Sequence, residues 1–264
     1  MLIRVINPNT TRAMTDLIGR CARVVAAPGT VVEAVTPSMG PASIESHYEE
    51  ALAVPGILEQ VAQGERDGAD AYVLACFGDP GLDAARELAT GPVLGIAEAA
   101  MHAATMVGRR FSIVTTLGRT MGRAHELVDR YGFRDACAGV HACEIPVLEL
   151  DAPGSRAEAI VTDYCRLAVE GDGADAVVLG CAGMADLCAR ISDAVGVPVV
   201  DGVTAATTLA QSLVTLGLRP AVAGEYATPP PKAMRGLLAP FEIAAAAVGG
   251  GPSPAAAPLV VTAD

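Results

Sequence analysis

One pattern occurs twice in this chain. Asp67-Gly-Ala-Asp-Ala-Tyr-Val-Leu-Ala-Cys76-Phe-Gly78 returns far downstream as Asp172-Gly-Ala-Asp-Ala-Val-Val-Leu-Gly-Cys181-Ala-Gly183. Both copies open with the same five residues, run through an apolar stretch, and place a cysteine nine residues after the first aspartate with glycine two residues beyond it. Any fold for this sequence has to provide two matched positions for one cysteine-bearing element. Residues 71–75 and 176–180 are continuously apolar rather than alternating, which predicts strands buried on both faces, as in a parallel sheet. The cysteines then stand at strand carboxyl ends. After Cys76, Phe77-Gly78 makes a turn, Asp79 suits a helix N-cap and Pro80 the first helical position. After Cys181, Ala182-Gly183 leads into a helical run from Met184 to Val195. Both thiols are thus expected close to helix N-termini, which lower a thiol pKa.

The rest of the chain repeats the same alternation. Strands are expected at 2–6, 30–35, 92–95, 110–116 and 139–148, with helices from Thr11 to about Val25, from His47, to about Thr90, and over 96–107, 120–131, 155–170 and 203–216. Each half reads strand, helix, strand, helix, cysteine strand, helix, strand, helix. The predicted class is α/β, with two pseudo-symmetric doubly wound lobes, each a small parallel sheet flanked by helices, and a site in the cleft between them. The lobes are expected to interleave: residues 1–98 plus 203–243 carry Cys76, residues 99–202 carry Cys181, and 244–264 is an Ala/Gly/Pro-rich tail. The segment Thr36 to Ser46, broken by Pro37, Gly40 and Pro41, is a loop placed to cover a site. Ala233 to Leu238 reads as a short helix.

Composition and motifs remove several function classes. Acidic residues outnumber basic ones 30 to 18, giving a formal charge of −12, and no Lys/Arg cluster offers nucleic acid a footing. Neither a signal peptide nor a membrane-spanning apolar run is read, and seven cysteines, an odd number, suit a reducing cytoplasm better than a disulfide framework. No Gly-x-x-x-x-Gly-Lys loop and no dinucleotide fingerprint occurs, and Leu82 and Leu187 stand where a cysteine phosphatase needs arginine. Cys137, His141 and Cys143 share a strand face but lack a fourth ligand for zinc. Lys232 is the only lysine and has no pyridoxal-type context, so no metal and no organic cofactor is expected. Cys21, Cys165 and Cys188 read as small buried hydrophobes, and Asp70 and Asp175 as turn residues.

Two thiols facing across a cleft suit inversion of a carbon next to a carbonyl: one thiolate removes a proton from one face, and the other thiol returns a proton to the opposite face. Backbone N–H groups at Phe77-Gly78 and Ala182-Gly183 are placed to hydrogen-bond a developing enolate oxygen. Thr115 and Thr116, ending the strand from Phe111, are further donors to a ligand.

Four segments carry a family resemblance: Ile6-Asn-Pro-Asn-Thr10, Pro41-Ala-Ser-Ile-Glu-Ser46, Ala75-Cys-Phe-Gly-Asp-Pro-Gly81 and Leu179-Gly-Cys-Ala-Gly-Met184. Through them the chain resembles the hydantoin and allantoin racemases of the cofactor-independent aspartate/glutamate racemase superfamily, over roughly Leu2 to Leu238. The resemblance implies Cys76 and Cys181 as the acid/base pair and a turn holding Asn7, Asn9 and Thr10 in the ligand pocket, with Ser43 beside it. Glutamate racemases carry Cys-Asn-Thr and Cys-Thr-His around their thiols; neither occurs here, which favours a neutral ring over an amino acid. The expected ligand is a neutral cyclic ureide, bound by a homo-oligomer. The competing readings are another enzyme of that superfamily (an amino-acid racemase, a decarboxylase or a cis–trans isomerase) and a non-catalytic small-molecule sensor. A decarboxylase needs only one thiol, and a sensor needs neither. The tail after Ala244 looks unlike the family.

Overall fold

The computed structural model describes residues 1–150, 152 and 155–243; the tail from 244 onward lies outside them. The chain divides into two compact units, Met1–Thr228 and Pro229–Asp264. The described part of the second unit contains an antiparallel bridge between Lys232 and Ile243 and a 3-10 turn at Gly236–Phe241, in place of the α-helix expected at 233–238.

The first unit is built on two parallel sheets. One takes β1 (Leu2–Ile6), β2 (Val31–Val35), β3 (Ala71–Leu74) and β4 (Val93–Gly95) in the order β2-β1-β3-β4. The other takes β5 (Phe111–Thr115), β6 (Cys137–Ala142), β7 (Ala176–Leu179) and β8 (Val199–Asp201) in the order β6-β5-β7-β8. The helices are α1 (Arg12–Val24), α2 (His47–Asp67), α3 (Leu82–Leu88) and α4 (Ile96–Val107), then α5 (Met121–Arg130), α6 (Ala157–Asp172), α7 (Cys188–Val195) and α8 (Gly202–Thr215). In each sheet the strand order reverses beside the first strand, between β1 and β3 and between β5 and β7. That reversal opens a crevice at the carboxyl ends, where open α/β sheets bind ligands.

The repeated Asp-Gly-Ala-Asp has a structural explanation. Its glycines, Gly68 and Gly173, end α2 and α6 in the left-handed conformation, with φ of 77° and 66°, which glycine adopts without a Cβ clash. Its second aspartates tie the strand entries together: Asp70 accepts the Leu2 N–H at 2.7 Å, and Asp175 accepts the N–H groups of Arg109 and Arg110 at 3.0 Å each. These ties fix the start of β3 beside β1 and of β7 beside β5, and so the height at which each cysteine emerges.

Four apolar layers cover the two sheets. Ile3, Val5, Val73 and Leu94 of the first sheet pack with Leu17 and Ile18 of α1 and with Val203, Ala206 and Ala210 of α8. The opposite face, with Ile6, Tyr72 and Leu74, packs on Ile57 and Val61 of α2 and Leu82 of α3. Phe111, Ile113 and Val178 of the second sheet meet Ala97, Ala100, Met101 and Ala104 of α4 and Leu127 of α5, and its far face meets α6 and α7. The helix that closes each set of strands in sequence therefore lies on the other set.

Three expected boundaries move. The strand expected over 139–148 stops at Ala142, because Glu144 has a φ of 56° and Pro146 has no N–H to offer a ladder; Val147–Glu149 then forms a 3-10 turn. Beyond Cys181 the helix begins as a 3-10 segment, Ala182–Leu187, before α7. Asp79 does not cap α3. Its φ of 44° makes a turn instead, and α3 starts at Leu82 after Gly81.

Candidate active site

The crevices of the two sheets meet in one cavity of about 60 Å3, lined by both Cys76 and Cys181. One water needs ~10–15 Å3 of such space, so the cavity has room for a small molecule rather than a polymer. Each cysteine loop is anchored in the core of the opposite sheet. Phe77, next to Cys76, is buried among Met101, Ile113 and Leu127 around the second sheet. Ala182 and Ala185, beyond Cys181, are buried among Ile3, Leu17 and Val73 around the first. That exchange holds the two half-buried thiols over one space.

The Cys76 loop has further restraints from the second half of the chain. Arg123 on α5 donates twice to the Gly78 carbonyl, at 3.0 Å from Nε and 2.7 Å from Nη2. The Tyr131 hydroxyl donates to the buried Asp79 carboxylate at 2.7 Å. Asp79 also accepts the Ala97 N–H at 3.1 Å and the Glu98 N–H at 3.0 Å, capping α4 across the space that a side chain on Gly95 would fill. Burial pushes the Asp79 carboxyl up to about 7, against the downward pull of Tyr131 and the two N–H groups.

Both catalytic candidates differ electrostatically from the sequence expectation. Burial pushes the Cys76 and Cys181 thiols up to about 12 each, despite the opposing Gly78 and Gly183 N–H groups. Helix ends do not rescue either ionised form: α3 begins well past Cys76, and Cys181 faces only a short 3-10 segment, accepting the Gly183 N–H at 3.4 Å. Desolvation outweighs these few dipoles. Glu50 and Cys181 itself also disfavour a Cys76 thiolate, so the two thiols resist ionising together.

Of the pocket residues expected from sequence, Asn9, Phe77, Gly78, Thr115, Thr116 and Ala182 line the cavity. Asn7, Thr10, Ser43 and Gly183 are not among the lining residues. Asn7 is buried and donates to Asn9 Oδ1 at 2.9 Å and Thr15 Oγ1 at 3.0 Å, orienting the neighbour that does line the site. Thr10 holds the covering loop, donating from its backbone N–H to the Pro41 carbonyl at 2.9 Å. Ser43 donates to Glu45 at 3.4 Å, and Glu45 in turn accepts the Val147 N–H at 2.6 Å. Through that bond the loop reaches the second half of the chain and places Ile44 and Val147 in the lining. Gly183 adjoins Cys181: a Cβ there would stand 3.6 Å from the Cys181 sulfur.

Sequence reasoning missed Met14, Glu50, Thr120 and Arg123, which also line the cavity. All four sit on or beside helices, where a single polar or flexible residue carries no spacing signal. The strand face of Cys137, His141 and Cys143 is otherwise engaged: His141 bonds Asp172 at 2.7 Å, and Ser112 donates to the same carboxylate oxygen at 2.6 Å. Among the described residues no group of three or more His, Cys, Asp or Glu is arranged to hold a metal ion.

Known proteins share this chain's sequence pattern and fold. A hydantoin racemase from Rhizobium meliloti is 47% identical over 236 residues, 89% of this chain and 98% of its own length. An allantoin racemase structure from Klebsiella pneumoniae superposes with a TM-score of 0.90 at 52% identity, covering 92% of this chain and 99% of its own. One from Pseudomonas fluorescens gives 0.86 at 40% identity, covering 89% and 100%. The Asp/Glu/Hydantoin racemase family model matches residues 3–210, and the chain belongs to that family.

Proposed function

We propose that this protein racemises 5-substituted hydantoins or the related ureide allantoin, by proton transfer between Cys76 and Cys181. The observation that carries the reading is the shared cavity: each thiol comes from the end of an equivalent strand, and both face one space of small-molecule size. One thiolate takes the proton from the ring carbon beside the carbonyl. The electron pair moves onto the carbonyl oxygen, which N–H groups of the cysteine loops and the Thr116 hydroxyl can hydrogen-bond, the Thr115 hydroxyl being given to the Gly180 carbonyl at 3.3 Å. The second thiol then delivers its proton to the other face. The enzyme finishes with the protonation states exchanged, ready for the opposite enantiomer. Burial makes each thiolate a stronger base than a solvated one, and mutual repulsion keeps the second thiol protonated once the first has ionised, as this cycle needs.

In the same reading α8 belongs with the first lobe and residues 99–202 with the second, a division that the packing of α8 and α4 supports. The protein works as a homo-oligomer in the cytoplasm, a placement supported by seven free cysteines. No helix among the described residues is long and apolar enough to cross a membrane.

Loss of optical rotation across a hydantoin and allantoin panel tests the activity. The Cys76→Ser and Cys181→Ser variants test the mechanism, since serine is too weak an acid to supply the base. Each variant should stop racemising yet exchange deuterium from heavy water into one enantiomer without inverting it, and the two should choose opposite enantiomers. Full racemase activity in either variant would refute the two-base assignment.

A further inference from the structure

The repeated Cys-x-Gly offers a comparison of the two ends of the cavity at equivalent positions. A Cβ placed on Gly78 would run into Glu50 Oε1, with Glu50 Cδ at 3.2 Å and the Cys76 sulfur at 3.8 Å. A Cβ placed on Gly183 would meet Leu150 Cδ1 at 3.0 Å, the Cys181 sulfur at 3.6 Å and Met14 Cε at 3.7 Å. The cysteines are matched, but what stands beside them is not: a carboxylate at Cys76, a leucine methyl and a thioether methyl at Cys181.

The carboxylate is also short of donors. The Glu50 side chain is only 19% exposed, and its nearest cations, Arg123 Nε at 3.6 Å and His47 Nδ1 at 3.8 Å, stand beyond hydrogen-bond length. Arg123 gives its hydrogen bonds to Gly78 and Glu126 instead. Among the described residues no donor makes a hydrogen bond to the Glu50 carboxylate, although it lines the cavity. Burial raises its pKa, with Arg123 and His47 opposing. A desolvated acceptor of this kind is completed by a ligand N–H, and a ligand without one leaves it unpaired at a cost.

We propose that Glu50 is a specificity-determining residue: its carboxylate accepts an N–H of the ureide at the Cys76 end, while the Met14 methyl, which lines the cavity, takes apolar substituents at the Cys181 end. This rests on the hydantoin or allantoin reading and adds a requirement to it, that the substrate bring an unsubstituted ureide nitrogen. Because the bond forms in the ground state as well as the transition state, it acts on KM more than on kcat.

The test compares wild type with Glu50→Gln and Glu50→Leu on 5-methylhydantoin and its two N-methyl derivatives, with calorimetric binding of hydantoin itself alongside. With free N–H groups, Glu50→Leu should raise KM tenfold or more and lower kcat far less, with Glu50→Gln between. Wild type should lose a similar factor on one of the N-methyl derivatives, and Glu50→Leu should lose no more on that compound. Equal KM values for wild type and Glu50→Leu on the free hydantoin would overturn the assignment, as would an equal added loss on both derivatives. If wild type racemises nothing in the panel, the racemase reading falls, while calorimetry still decides Glu50: tight hydantoin binding by Glu50→Leu would refute it. Thermal melts identify a variant that fails to fold, and Glu50→Gln then carries the comparison.

Discussion

Replacing Asp79 by asparagine should change how stability depends on pH, and its size follows from the site. The carboxyl is 4% exposed and moves from an ordinary value of 3.8 to about 7, chiefly through burial. A shift of ~3 units corresponds to about 4 kcal/mol. The sign is that of an acid whose folded pKa is raised: the folded state holds the proton more tightly, so this contribution is complete below about pH 4 and is lost as pH rises through about 7. About 2 kcal/mol of it is lost between about pH 5.5 and about pH 8, where the folded carboxyl ionises and the unfolded one already has. Asparagine cannot ionise, but its amide must turn one N–H toward the Ala97 and Glu98 donors, losing a hydrogen bond worth about 1 kcal/mol. Because about 2 kcal/mol has already gone from wild type by about pH 5.5, more than the lost hydrogen bond, the variant should be more stable than wild type by about 1 kcal/mol at the lower pH and by about 3 kcal/mol at the higher. Urea unfolding at the two pH values measures both differences, and the other titrating groups cancel between the two proteins. Parallel pH dependences would refute the reasoning, because they would mean that Asp79 is already ionised at the lower pH and that its three donors outweigh its burial.

Two further outcomes follow from the geometry. With both thiols pushed up to about 12, kcat/KM should climb steadily from about pH 6 to about pH 8; a plateau near neutrality would show a thiol ionising there. Gly202→Ala puts a Cβ against the Ile96 carbonyl oxygen and 2.6 Å from Ile96 Cβ, where neither backbone can give way. Such overpacking should cost about 2 kcal/mol and lower Tm by ~4–8 °C, and an unchanged melting curve would show that α4 and α8 are free to move apart.

Much of this molecule is legible in the sequence because the repeat states its own architecture. The buried strands ending at Leu74 and Leu179 are unbroken apolar runs, the glycines after Asp67 and Asp172 mark helix ends, and the cysteines follow directly. Asp79 shows where such reading stops. Locally it is a good cap with proline behind it, but its partners are Tyr131 and the first turn of α4, and no local preference encodes a contact over that separation. The thiol pKa values were missed for a related reason: a helix end is visible in a sequence, whereas desolvation depends on everything that folds over the group. Glu50, Arg123 and Met14 were missed because each is one residue on a helix, brought to the cavity only by the packing of the two sheets.

The placement of α8 also has a consequence for how the chain comes into being. Val203, Ala206 and Ala210 cover the face of the first sheet formed by Ile3, Val5 and Val73. During synthesis that face emerges early and stays without its cover until the ribosome has made the whole second sheet. The earliest-made strands thus wait for nearly the last helix, a high-contact-order arrangement that folds slowly and leaves an apolar surface open to aggregation meanwhile. A nascent chain halted before Gly202 should accordingly bind a hydrophobic dye and a chaperone, and one released after Thr215 should bind neither.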